Sequence, residues 1–285
     1  MIHIKLMETL KTIKLKKKYI IFAILYGISS LIVPMATQFL VNHLAISGIM
    51  VNTLTFSVIV GIALIVAQIL KYTQVLLNEF IQREIFVLEA RRWYNPERGK
   101  APYFFEIILL MKSFSASFTH LVELALLLFF GLLLIISFHP FFITLLLVLG
   151  GSIFFLFFSW EEAVRTSVEE SNEKYRLFYK KQDQRSLCEE DLELFLEVRD
   201  KHFYFIKRNK ILVGTVFVVS QLLLLGSGIY FIQKHQLSIG QLVSAEIILS
   251  GILVSLTKLP RTLESLYDFE TSKIKIEYAL LGGQS

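Results

Sequence analysis

The sequence predicts an all-α membrane protein of six long transmembrane helices with charged helical extensions on one side. Three observations predict it. Hydrophobic residues make up 54% of the 285-residue chain and charged residues only 19%, against ~25% charged in an ordinary soluble domain; the mean hydropathy is +0.60. Apolar stretches of about twenty residues recur, the length that a hydrocarbon core of ~30 Å demands of a helix. Some of these stretches then run on into charged sequence without a helix breaker. From Pro140, FFITLLLVLGGSIFFLFFSW continues as EEAVRTSVEESNEKYRLFYKK to Lys181. A helix of that length is about 60 Å long, so half of it must stand in water.

The elements follow in order. Residues 1–18 form a basic tail with Lys5, Lys11, Lys14, Lys16, Lys17 and Lys18. The apolar run after it is too long for a signal-peptide core and has no A-x-A cleavage pattern, so it reads as a retained first span, 19–43. The second span, 54–78, continues as NEFIQREIFVLEARRW, with Glu–Arg pairs at helical spacing. YNPERGKAP at 94–102 holds two prolines and a glycine and breaks that helix. A new helix climbs from Tyr103 into the third span, 115–138. Ser137-Phe138-His139-Pro140 is a tight turn, and Pro140 suits the first turn of the fourth span, 140–160, where its missing N–H would be unpaired anyway. Residues 161–210 descend, break near 183–189 and return into the fifth span, 211–232; the sixth is 241–260. Pro34 and Pro260 are expected to kink their helices rather than end them, because neighbouring helices can satisfy the released carbonyls. The result is one six-helix domain, 19–281, followed by a short tail, 282–285. It carries two helical hairpins with tips at 94–101 and 181–190.

Charge sets the topology. The tail, the two hairpins and the end of the chain hold nearly all lysines and arginines, eleven of them between spans four and five. The opposite loops, 43–53, 138–140 and 233–240, hold only Lys234. Positive charge accumulates on the cytoplasmic side, so both termini are expected there. The pI near 9.1 then needs no nucleic-acid partner to explain it. The single cysteine, Cys188, excludes an internal disulfide framework. The six histidines are dispersed without metal-ligand spacing, and His120, inside span three, reads as a packing residue. The acids at 189–193 read as a solvated tip, so no catalytic residue is expected.

Lys71, Glu123 and Glu246 fall inside predicted spans, where a charge is costly and tends to face a cavity or a partner. At the helical rise, Lys71 is about 25 Å below Leu54 and Glu123 about 22 Å below Phe138. The two levels agree within a turn, so an ion pair between adjacent helices is one reading. The other is that Lys71 snorkels to the headgroups while Glu123 faces a wet cavity. Glu246, near the outer end of span six, is a candidate for the translocation path or, equally, for packing. Gln38, Asn42, Gln68, Gln74, Thr119 and Gln221 are further candidates for lining the path, although most such residues simply bond between helices.

At several points the chain resembles the transmembrane domain of bacterial type I (exporter-fold) ABC transporters. LIVPMATQFLVNHL in span one is similar to the first helix of half-transporters. Ser171-Asn172-Glu173-Lys174-Tyr175 resembles an S-x-x-K-Y stretch in the descending second intracellular hairpin, and Val198-Arg199-Asp200-Lys201-His202-Phe203 its ascending arm. Leu237 to Glu277 resembles the sixth helix and the helix leading to the nucleotide-binding domain. The resemblance implies the exporter fold in the bacterial cytoplasmic (inner) membrane, with a second transmembrane domain, in a homo- or heterodimer, onto which spans four and five cross. It also implies a permease whose hairpin tips couple to an ATPase, here through Tyr94, Asn95, Glu97 and Arg98 in one tip and Lys181, Gln182, Asp183 and Arg185 in the other. The chain departs from fused family members in having no G-x-x-x-x-G-K-[ST] phosphate loop. ATP and Mg are therefore expected on a separate ATPase subunit or a fused half-transporter partner, and no cofactor on this chain. The alternative is a non-transporting membrane scaffold or regulator with a degenerate ABC transmembrane domain. A channel or secondary permease fits the long charged helices less well.

Overall fold

A computed structural model describes residues 15–43, 53–92, 104–182 and 188–280, and every element among them is helical. In chain order the helices are α1 (Leu15–Ser30), α2 (Ile32–Leu40), α3 (Thr53–Arg92), α4 (Phe104–Phe138), a 3-10 turn Pro140–Phe142, α5 (Ile143–Phe158), α6 (Trp160–Gln182), α7 (Glu189–Gln233), α8 (Ile239–Thr257) and α9 (Leu259–Leu280). Among the described residues six helical stretches are long and apolar enough to cross a membrane, the pattern of a multi-pass membrane protein. One end of the bundle carries the charged extensions and is called the stem; the other is the loop end.

Local chemistry explains the boundaries. At the loop end, Pro140 occupies the first turn after His139, whose Nδ1 accepts the Phe141 N–H at 3.2 Å. α7 closes through left-handed His235, φ 56°; Gln236 N–H reaches the Phe231 carbonyl and His235 N–H that of Ile232, both at 2.9 Å. That is the double closure that usually takes glycine. At the stem, α7 begins beyond Cys188, whose backbone N–H donates to the Asp191 carboxylate at 3.1 Å. The same carboxylate accepts from Lys180, tying α6 to α7. α8 starts at Ser238, whose Oγ accepts the Gln241 N–H while Gln241 answers the Ser238 N–H, a reciprocal cap.

Both predicted proline kinks are present, each upstream of its proline: α1 and α2 meet at Leu31, three residues before Pro34, and α8 and α9 at Lys258, two before Pro260. A third break was not expected. The rod read as continuous from Pro140 to Lys181 is interrupted at Ser159, with neither proline nor glycine. There, Arg208 of α7 donates to Ser159 Oγ at 2.7 Å.

Two cores hold the bundle. The larger joins Leu132 and Ile135 of α4, Leu145 and Leu149 of α5, Leu224 of α7 and Ile252 of α8, all buried. The second, toward the stem, packs Tyr19, Ile81, Ile107 and Phe269 of α1, α3, α4 and α9. α4 and α9 belong to both and make the most extensive helix pair. Spans four and five pack on each other and, through the larger core, on spans three and six of the same chain. Apolar side chains such as Ile59, Ile65, Phe129, Leu147 and Phe158 remain exposed, as a surface in contact with lipid requires.

Candidate functional site

The structure joins Lys71 and Glu123. Lys71 Nζ meets Glu123 Oε1 between α3 and α4, both side chains about two-thirds buried. The ammonium also lies 5.1 Å from the centre of the Tyr26 ring on α1, a cation–π arrangement that stabilises a partly desolvated cation. Behind the pair is a cavity of about 190 Å³ between α1, α4 and α8, lined by Tyr26, Ser30, Glu123, Gly251, Ser255 and Lys258 among others. Its back wall is fixed by His120. That ring bonds the Ser255 carbonyl at 3.1 Å through Nε2 and Thr262 Oγ1 at 2.7 Å through Nδ1. The Ser255 carbonyl also accepts the Lys258 N–H at 3.1 Å, so His120 adds a second bond there and links α8 to α9 across the break at Lys258.

The other path candidates lie elsewhere. Glu246 Oε1 accepts from Gln221 of α7 and from Ser250 at 3.0 Å, while Glu246 Oε2 and Gln221 Oε1 are buried without a partner. Asn42 Oδ1 accepts the Gly240 N–H at 3.1 Å. A Cβ at Gly240 would come within 2.7 Å of the Gln38 carbonyl oxygen, so glycine permits this close approach of span one to α8. Gln74 donates to the Phe22 carbonyl at 3.2 Å, and Thr119 to Asn78 at 3.0 Å. These are helix-to-helix bonds at several levels of the bundle; none of these residues lines the cavity.

Two stem clusters were not anticipated. Buried Glu106 of α4 accepts from Tyr175 of α6 and Ser272 of α9, both at 2.6 Å. Lys275 lies 3.8 Å from Glu106 and donates to Ser171. Glu170 of α6 accepts from Arg199 at 2.8 and 3.0 Å, from Lys174 at 2.7 Å and from His202 Nδ1 at 2.5 Å. Burial by itself would raise the Glu170 carboxyl, but donation from His202, Lys174 and Arg199 outweighs it and brings it down to about 2. The two hairpin patches Ser171–Tyr175 and Val198–Phe203 thus supply the braces of the stem. The signal for Glu106 was one acid inside FFEIILL; its partners, 69 and 166 residues away, had none. Among the proposed tip residues, Lys181 is exposed at the end of α6, and Gln182 is its last residue. Tyr94, Asn95, Glu97, Arg98, Asp183 and Arg185 lie outside the described residues. No group of metal-binding side chains occurs among the described residues.

No protein-family model matches the chain, and no curated protein matches it either.

Proposed function

We propose that this chain is the membrane-spanning permease subunit of an ABC exporter, with ATP and Mg handled by a separate or partner-borne nucleotide-binding domain. The observation that carries the reading is the braced stem. α3 has 40 residues and α7 has 45, about 60 and 68 Å of helix against a hydrocarbon core of ~30 Å. Glu170 ties the charged half of α7 to α6 through Arg199 and His202, and Glu106 ties α4 to α6 and α9, so the stem is braced as a rigid lever. A channel needs no such lever, whereas a motor docked at its end does. In this reading the stem and both termini are cytoplasmic in the bacterial inner membrane. The tips at 94–101 and 181–190 seat in ATPase clefts, and a second transmembrane domain completes the path. Closure of the ATPase pair would move the stems and exchange access between the two faces.

The test is composition and coupling. Purification of the native complex in mild detergent should recover an ATPase subunit, and Tyr94→Ala with Arg98→Ala should abolish stimulation of its ATPase by the membrane chain. Recovery without any ATPase would favour the non-transporting scaffold; unchanged stimulation would remove the tip assignment.

A further inference from the structure

We propose that the cavity between α1, α4 and α8 binds the headgroup of an anionic phospholipid from the stem-side leaflet, with Lys258 as counter-ion. Depth is the first ground. Glu123 lies about 22 Å from the loop end of α4, and Lys258 about 28 Å from the start of α8. In a hydrocarbon core of ~30 Å the cavity therefore spans the boundary between acyl chains and headgroups on the stem side.

Charge is the second. Glu123 is neutralised by Lys71. Lys258 lines the same cavity, is exposed, and is joined to no carboxylate among the described residues. With Lys71 counted against Glu123, the pocket keeps one excess positive charge on Lys258, and Tyr26 and Ser255 are among the lining residues. Basic pockets between transmembrane helices at this depth are suited to acidic lipid headgroups.

Access is the third. Span one touches span six through α2; past the bend at Leu31, α1 packs on α3 and α4 instead. The two spans therefore diverge toward the stem. At the mouth, Gly251 is exposed and a Cβ there would meet nothing within 4 Å, and Val254 is 52% exposed. The gap opens sideways into lipid, at the level where a headgroup can enter while its chains stay outside. The site requires only the bilayer, so it stands or falls independently of the ATPase partner.

The experiment is native mass spectrometry of the detergent-solubilised full chain, titrated with phosphatidylglycerol, phosphatidylcholine or inorganic phosphate. One phosphatidylglycerol per chain should bind about tenfold more tightly than phosphatidylcholine, the ratio that one retained charge contact of ~1.4 kcal/mol gives. Inorganic phosphate should not compete. Lys258→Gln, an exposed position, should erase the preference, and Lys258→Arg should keep it. Gly251→Leu should weaken both lipids by closing the mouth. Equal binding of the two lipids, a preference that survives Lys258→Gln, or displacement by inorganic phosphate would overturn the proposal, the last by showing a site for a free anion.

Discussion

Glu123 sits where a lone carboxylate would be costly, and Lys71 removes that cost. Glu123→Gln leaves the ammonium, about two-thirds buried, with only the Tyr26 ring, so folding yield and thermal stability in detergent should fall. Adding Lys71→Gln should recover part of the loss. Residues in direct contact show couplings of about 0.5–3 kcal/mol in such cycles, and strictly additive losses would mean that the contact contributes nothing. Asp268, about 12 Å along α9 beyond the predicted end of span six, behaves in the opposite sense. Burial, reinforced by Glu264, raises its carboxyl from 3.8 to about 6, against the pull of Lys174 and His202. Its folded-state pKa lies above its unfolded value, so its contribution to stability is full below the unfolded pKa and is lost as pH rises through about 6. Asp268→Asn, which imitates the protonated acid, should raise the unfolding temperature at about pH 7.5 and give little gain near pH 4. A gain independent of pH would show that charge is not the cause.

Among the elements, the bends differ in how they arise. Those near Pro34 and Pro260 were legible because a missing N–H is a property of one residue. The break at Ser159 was not, because no proline or glycine marks it; the side chain bonded there, Arg208, lies 49 residues later on another helix. The same division runs through the polar residues. Depth arithmetic put Lys71 and Glu123 at one level because both helices are nearly unbroken between their loop ends and those residues. Glu106 with Tyr175, Ser272 and Lys275, and the cavity beside Glu123, depend on how α4, α6, α8 and α9 rotate against one another, and a chain with mixed apolar faces does not state that rotation. His120 shows what an element needs from its neighbour. It bonds both sides of the α8–α9 break, so His120→Ala should remove both links, while the Ser255 carbonyl keeps the Lys258 N–H. A hydrogen bond contributes about 0.5–1.5 kcal/mol net, and thermal unfolding in detergent should register a loss of that order. His120→Gln, which retains a donor, should lose less; equal losses would assign the effect to packing volume.

At the scale of the molecule, the bundle divides into an apolar part whose surface suits lipid and a stem in which Glu106, Glu170 and Asp191 accept from donors on other helices. A lever of this kind is useful only if its end is reachable from one compartment, and the chain contains its own reporter. Cys188 is the single cysteine, and it is exposed at the start of α7, the whole 45-residue helix from the described loop turn at Lys234. That distance, about 68 Å, is more than twice the thickness of the hydrocarbon. The concentration of lysine and arginine on the stem side argues that this end faces the cytoplasm. A membrane-impermeant maleimide should therefore label Cys188 in inside-out vesicles and leave it unlabelled in intact spheroplasts, while a permeant maleimide labels both. Labelling from outside intact cells would invert the topology, and with it the compartment of any ATPase. Protection from the impermeant reagent in both preparations, relieved by detergent, would place the hairpin within lipid and remove the lever altogether.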